Sequence, residues 1–315
     1  MKGLAMCILL TSSVVATSQQ APTSPALPVF GAEVENVYID AFVSSGRVPL
    51  PGLKATDFEL RDNGVGQSLE LVAADSQPFL AVLAFDVSNS LEGEKMAALR
   101  AASQALLDSL RPEDEASLFT FADDVQWLAP PTTDKAAIRL ALDRLRPSGG
   151  SPVIDALYAS LILPRSRGRS LVVLFTDGLD NLSWLDWSQM QKVAERSNAV
   201  IHIVSLQAPE PPSTSSFAGD LRWRVLPATP QIAIESEASW ALRQIAHATG
   251  GRTWEAKSPD HLKGAFLEIA EGMGKRYVLR YSPENVQRPG WHKIDLKLRG
   301  KKGDVRTRTG YWVPK

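Results

Sequence analysis

The sequence predicts an α/β fold, a doubly wound, mostly parallel sheet with helices on both faces, inserted in a small β-sandwich built from N- and C-terminal strands. Three observations predict it. The runs at 80–85 and 171–175 are continuously apolar, as in strands buried on both faces of a parallel sheet. Between and after them, apolar residues recur at helical spacing, so strands alternate with helices. At both ends of the chain the alternation returns to period two, and neither end has enough strands to bury an apolar face alone.

Taken in order, the chain opens with Lys2 and the apolar residues Leu4, Ala5, Met6, Cys7, Ile8, Leu9 and Leu10, followed by the small Val14, Val15 and Ala16. This is the pattern of a secretory signal over 1–18, with a Ser/Gln/Pro linker over 19–32. Cys7 is the only cysteine, so a chain cleaved there has no disulfide and no thiol chemistry. No later apolar run reaches the roughly 20 residues a membrane-spanning helix needs. The expected setting is therefore the periplasm or the cell exterior.

The front half of the sandwich is expected over 33–76. There Val37, Ile39, Ala41 and Val43 alternate, as do Phe58 and Leu60, and Asp62-Asn63-Gly64 marks a turn before Leu69 and Leu71. The α/β region is expected over 77–274. After the first buried strand, Met96, Leu99, Leu106 and Leu110 mark a helix that Pro112 stops. Segments 117–121 and 125–128 read as a hairpin. Thr133 is placed to cap a second helix carrying Ile138, Leu142 and Leu145, and Ser151 to cap a third with Pro152 at its first position. A strand at 171–175, a helix at 190–196 and a strand at 199–206 follow. A Pro/Ser/Thr-rich surface excursion covers 209–230. Helices at 237–249 and 259–273 then flank a short strand at 252–255, with Gly250-Gly251 as a helix stop. The back of the sandwich, 275–315, reads as three strands, with Ile294, Leu296 and Leu298 facing away from Lys293, Asp295, Lys297 and Arg299.

Composition narrows the function. Lys and Arg total 34 against 35 Asp and Glu, so no positive field exists to hold nucleic acid. The four histidines, His202, His247, His261 and His292, have no metal-ligand spacing, and His202 sits in an apolar strand as a core residue would. A P-loop, an H-E-x-x-H helix and a G-x-S-x-G elbow are all missing, so no catalytic residue is assigned.

The chemistry gathers elsewhere. The first buried strand ends in Asp86-Val87-Ser88-Asn89-Ser90, placing one carboxylate and two hydroxyls on a tight turn. The strand at 171–175 ends in Thr176-Asp177-Gly178, and Gly149-Gly150-Ser151 lies on the loop between them. In an open α/β sheet, that carboxyl edge is where ligands bind. Hydroxyl and carboxylate oxygens from three loops suit Mg²⁺ or Mn²⁺, with Ca²⁺ a further candidate. Each part has a plainer reading: the D-x-S-x-S turn as a helix cap, Ser151 as an N-cap, Asp180 and Asn181 as solvated loop residues. Trp184 and Trp187 read equally well as partner anchors or as helix packing.

As a set, these residues resemble the von Willebrand factor type A domain and its metal-ion-dependent adhesion site. The resemblance assigns the metal to Asp86, Ser88, Ser90, Ser151 and Asp177, with the serines ligating directly and the aspartates acting through water. Ser151 stands where the family has Thr, which keeps the hydroxyl but loses the stiffening methyl. The flanks resemble a narrower group, exported von Willebrand factor A-related proteins frequent in Acidobacteria. The matching residues are Gly52, Leu53, Asp57 to Leu60, Asp62-Asn63-Gly64 and Gln67 before the turn, and Tyr277 to Pro283 and Gly310-Tyr311 at the end. The resemblance implies metal-dependent binding of a protein partner that presents an Asp or Glu carboxylate. Two other readings stand beside it: a metal-assisted hydrolase, with Asp123, Asp124 or Asp180 as the base, and a metal-free structural protein of the envelope.

Overall fold

The computed structural model describes residues 36–46, 48–73, 77–164, 168–176, 180–206, 230–286 and 289–314, with 230–237 described by backbone alone. The expected signal, the linker, Asp177 and nearly all of the excursion at 209–230 lie outside those residues.

Six strands form the central sheet: β6 (Phe79–Asp86), β7 (Glu115–Phe121), β8 (Val125–Thr132), β9 (Arg169–Phe175), β10 (Val200–Leu206) and β11 (Thr253–Ala256). Their order is β11-β10-β9-β6-β7-β8, parallel except for the β7–β8 hairpin. Every residue of β6 is buried. Its period-two alternation sends Phe79, Ala81, Leu83 and Phe85 to one face and Leu80, Val82 and Ala84 to the other. On the first face they meet α1 (Glu94–Ser109), α2 (Lys135–Asp143) and α6 (Pro259–Gly274) through Leu99, Ile138 and Phe266. On the second they meet α3 (Val153–Ile162), α4 (Trp187–Arg196) and α5 (Pro230–Ala248) through Leu157, Met190 and Ile245. The doubly wound sheet is thus the one the sequence predicts.

Two smaller sheets are built from the chain's two flanks. One pairs β14 (Asp304–Arg306), β1 (Val37–Ser45), β12 (Tyr277–Tyr281) and β5 (Glu70–Ala73), with β2 (Val48–Pro49) beside β1. The other pairs β15 (Gly310–Val313), β13 (Gly290–Leu298), β3 (Phe58–Asp62) and β4 (Val65–Gln67). Ile39, Leu60, Leu279, Tyr281 and Ile294 fill the core between them. The turn after Asp62 holds Asn63 at φ 47° and Gly64 at φ 86°, as a two-residue hairpin requires. The back contributes four strands, where the sequence suggests three. The extra one, β14, has three residues, too few for alternation to show.

The two β-sheets and the central sheet meet along a seam of charge. Asp40 of β1 pairs with Arg169 of β9 at 2.9 Å and with Arg276 at 3.3 Å. Gly251 lies so close to the β10 backbone that a Cβ there would sit 1.9 Å from the Ile201 carbonyl oxygen, so only glycine fits. One cap also differs from expectation. Asp134, not Thr133, opens α2, its carboxylate accepting from the amides of Ala136 and Ala137.

Candidate functional site

The chain leaves β6 toward α1 and β9 toward α4, on opposite faces, so the crevice between their carboxyl ends is the topological switch point of the sheet. Phe85, next to last in β6, and Phe175, last in β9, pack with Phe266 below the crevice, with ring centroids 5.9 to 6.5 Å apart. Asp86 stands on this floor.

Three segments converge on Asp86. Directly after it, the Ser88 amide donates to Asp86 Oδ1 at 2.9 Å, closing the turn, and Ser88 Oγ lies 3.0 Å from Ser90 Oγ. From the second loop, Ser151 Oγ donates to both Asp86 oxygens, at 3.2 and 3.1 Å. From the end of β9, Thr176 Oγ1 donates to Asp86 Oδ2 at 3.1 Å. Asp86, Ser88, Ser151 and Thr176 are buried, while Ser90 is exposed. A buried carboxylate is costly without donors, and these supply them. The structure thus brings Asp86, Ser88, Ser90 and Ser151 together, and Asp177 lies outside the described residues. Among the described residues, no group of three or more His, Cys, Asp or Glu side chains is placed to hold a metal. The convergence rests on hydroxyls.

The second loop is shaped to reach this point. Gly149 holds φ +66°, and a Cβ on it would lie 2.2 Å from Asp123 Oδ1. The same Asp123 oxygen accepts from the Gly150 amide at 3.3 Å, and the Asn89 amide donates to Gly149 oxygen at 3.3 Å.

Ser151 does not cap α3, contrary to the sequence expectation. Its hydroxyl instead donates to the Asp86 carboxylate in a charge-assisted hydrogen bond. The cap arrives from another loop instead: Ser183 Oγ accepts from the Ile154 and Asp155 amides at 3.0 and 3.2 Å. Asn181 ties the loops further, its Oδ1 accepting from the Ser151 amide at 2.8 Å and its own amide donating back to Ser151 oxygen at 3.2 Å. Asp155 accepts from the amides of Trp184 and Leu185 at 3.0 and 3.1 Å. Trp184 is 96% exposed, whereas Trp187 packs against the core. The packing reading thus holds for Trp187, and Trp184 stands out in solvent.

Thr176, which the motif pattern does not single out beside Asp177, is a further contributor through its hydroxyl. The carboxylates considered as bases have structural partners. Asp123 holds Gly150, Asp124 accepts from Gln126 Nε2 at 3.0 Å, and Asp180 accepts from the Ser183 amide at 3.2 Å. Burial pushes the Asp180 carboxyl above its ordinary value, against the hydrogen bonds from Ser183. His202 is a core residue, as expected: its Nδ1 accepts from Trp254 Nε1 at 3.2 Å, and burial pushes it well below its ordinary value, so it is neutral.

A doubly wound domain with hydroxyls and a carboxylate at its switch point defines a class. Residues 81–179 match the family model described as the von Willebrand factor type A domain, and the chain carries a domain of that family. Among curated proteins, it is similar to a UPF0353 protein of Mycolicibacterium paratuberculosis, 24% identical over 218 residues, covering 63% of this chain and 62% of the relative. It is also similar to human inter-alpha-trypsin inhibitor heavy chain H2, 28% identical over 147 residues, covering 42% of this chain and 16% of the relative. The chain thus spans less than two thirds of either relative. Among solved structures, a von Willebrand factor type A protein from Catenulispora acidiphila aligns with a TM-score of 0.51 at 14% identity, over 84% of this chain and 75% of that one. That likeness is one of fold.

Proposed function

We propose that the protein is a metal-dependent binding module, not an enzyme, in which Ser88, Ser90 and Ser151 hold a divalent ion through their hydroxyls, with Asp86 and Asp177 behind them. The observation that carries this reading is the gathering of hydroxyls from separate loops around one buried carboxylate at the switch point. The donor chemistry fits. The Ser88 and Ser90 oxygens are 3.0 Å apart, and two neighbouring ligands of an octahedral Mg²⁺ at 2.0–2.1 Å stand about 3.0 Å apart. Hydroxyl oxygens are hard donors, suited to Mg²⁺ or Mn²⁺ and also to Ca²⁺.

With mostly neutral ligands, the bound ion supplies residual Lewis acidity for one more oxygen donor. We read that donor as an Asp or Glu carboxylate of a protein partner. Trp184 and the half-exposed Leu182, next to Gly150, give the rim an apolar anchor beside the coordination point. Structural partners for Asp123, Asp124 and Asp180 favour binding over hydrolysis. Export to the periplasm or exterior rests on the N-terminal sequence. Among the described residues, no helix is long and apolar enough to cross a membrane.

Isothermal titration of Mg²⁺ and Mn²⁺ into the wild type and Asp86→Ala tests the reading. Saturable heats in the wild type alone are expected; equal heats in both would dispose of it.

A further inference from the structure

The seam between the central sheet and the β1–β14 pair encloses a second feature, at the opposite end of the sheet from Asp86. Here a cavity of about 170 Å³ is lined by Phe42, His202, Arg252, Trp254, Arg276 and Arg306 among others. His202 lies early in β10 and Arg252 directly precedes β11, so both mark the amino ends of their strands. Phe42 and Arg306 are direct cross-strand partners on β1 and β14.

Three guanidinium groups face this space, and their partners account for them unequally. Arg276 is structural, donating to the Gly250 and Asp40 carbonyl oxygens at 3.1 and 3.0 Å, with its charge met by Asp40. Burial pushes it down to about 10, so it remains a cation at neutral pH. Arg252 lies 3.3 Å over the Trp254 ring and pairs with Glu268 at 3.7 Å. Arg306 lies 4.5 Å over the Phe42 ring. Among the described residues, its guanidinium has neither a hydrogen bond nor an ion pair; Asp304 and Glu268 act on it only through space. The other charged lining groups, Glu271 and Lys275, satisfy each other at 3.1 Å. His202 is neutral and contributes no charge.

Arg306, half-buried beside the Phe42 ring, carries a guanidinium fork that matches the geometry of carboxylate and phosphate oxygens. Burial weakens its hydration, so an arriving anion displaces little water from it. The cavity has room for a group of several heavy atoms.

We propose that this cavity is a binding site for a small oxyanion, a carboxylate or phosphoryl group held chiefly by Arg306, with the charges of Arg252 and Arg276 lining the same space. A ligand there touches β1, β11 and β14 at once and so joins the central sheet to the sandwich. The site is independent of the ion at the other edge.

The test uses the full chain at constant ionic strength. Inorganic phosphate and malonate are each titrated by calorimetry and by thermal unfolding, with chloride as the control. A saturable heat with a rise in Tm is expected for at least one of them. Phosphate alone identifies a phosphoryl ligand, and malonate alone an organic acid. Arg306→Gln should weaken the responding anion at least tenfold while leaving the Mg²⁺ titration unchanged. Arg252→Gln serves the same purpose if Arg306→Gln loses its near-ultraviolet circular dichroism. The proposal is overturned if neither anion gives a saturable response, or if the folded variant binds as the wild type does.

Discussion

Asp62 and Asp86 are both completely buried carboxylates at the ends of strands, yet their surroundings differ in kind. Asp62 lies within the sandwich. Tyr281 of one sheet and Tyr311 of the other donate to its Oδ2 at 2.8 and 2.7 Å, and His292 Nδ1 lies 3.0 Å from its Oδ1. Burial pushes both phenols above their ordinary value, so they remain protonated donors. These partners are large, fixed by packing on both sheets and closed to solvent. Asp86 takes two small hydroxyls and a turn amide from loops at an open edge. A Ser or Thr hydroxyl rotates and can accept as well as donate, so the same atoms can serve a carboxylate or an ion. The aromatic donors around Asp62 are fixed by packing, whereas the hydroxyls around Asp86 can turn, which is what the proposed ion site requires.

The largest effects break this comparison directly. Asp62→Ala removes the shared acceptor of two buried phenols, and urea unfolding should show a loss of about 3–5 kcal/mol. Asp86→Ala should cost only about 1–2 kcal/mol in metal-free buffer, because its donors are rotatable hydroxyls that can seek acceptors among one another. In Mg²⁺ at 100 times Kd the wild type should gain about 2.7 kcal/mol, and Asp86→Ala nothing. Equal destabilisation by the two substitutions would erase the distinction between the regions.

The two tryptophans offer the next contrast. Trp187→Ala removes a ring packed on the core and should cost about 2–3 kcal/mol. Trp184→Ala should change stability by less than about 0.5 kcal/mol, since its ring touches mostly solvent. A substantial stability loss in Trp184→Ala, by chemical denaturation, would place that ring in the fold and not at a rim.

A third aspartate sharpens the picture through pH. Asp114 lies at the opposite end of the central sheet, accepting from the Phe79 amide at 3.1 Å and from Arg111 Nη2 at 2.9 Å. Burial pushes its carboxyl up, but Arg111 and the two backbone amides pull it further down, to a value below the ordinary one. A carboxyl lowered in the folded state contributes stability that is complete above the unfolded pKa, about 3.9. The contribution drains away as pH falls through the folded value. Asp114→Asn should therefore lower stability at neutral pH and flatten its acid limb; an unchanged limb would remove the carboxylate from that role.

How much of this was legible depends on distance along the chain. Runs 80–85 and 171–175 announced buried strands because burial on two faces leaves no polar register, and β13 announced its facing through Ile294, Leu296 and Leu298. Asp86, Ser88 and Ser90 were legible because one turn carries all three. Ser183 as the cap of α3 was not, since its partners lie 28 and 29 residues away and only the folded loop joins them. The same limit hid the tyrosines around Asp62, which come from positions more than 200 residues later. Thr176 had a readable signal, a hydroxyl at the end of a buried strand, and a neighbour that obscured it.

The smallest effect bears on Ser151, where the family pattern has Thr. Ser151→Thr restores a β-methyl that limits χ1. If rotamer freedom is what the site now loses on holding an ion, the substitution should tighten Mg²⁺ about twofold, from roughly 0.5 kcal/mol of side-chain entropy. Ser151 is buried beside Asp86, so the methyl also probes the space around the hydroxyl. Tighter Mg²⁺ with unchanged unfolding would mean that order, not donor number, limits this edge. Weaker Mg²⁺ with a lowered midpoint would mean that the loop from Gly149 is packed for serine, and that the departure from the family pattern is fitted to this chain.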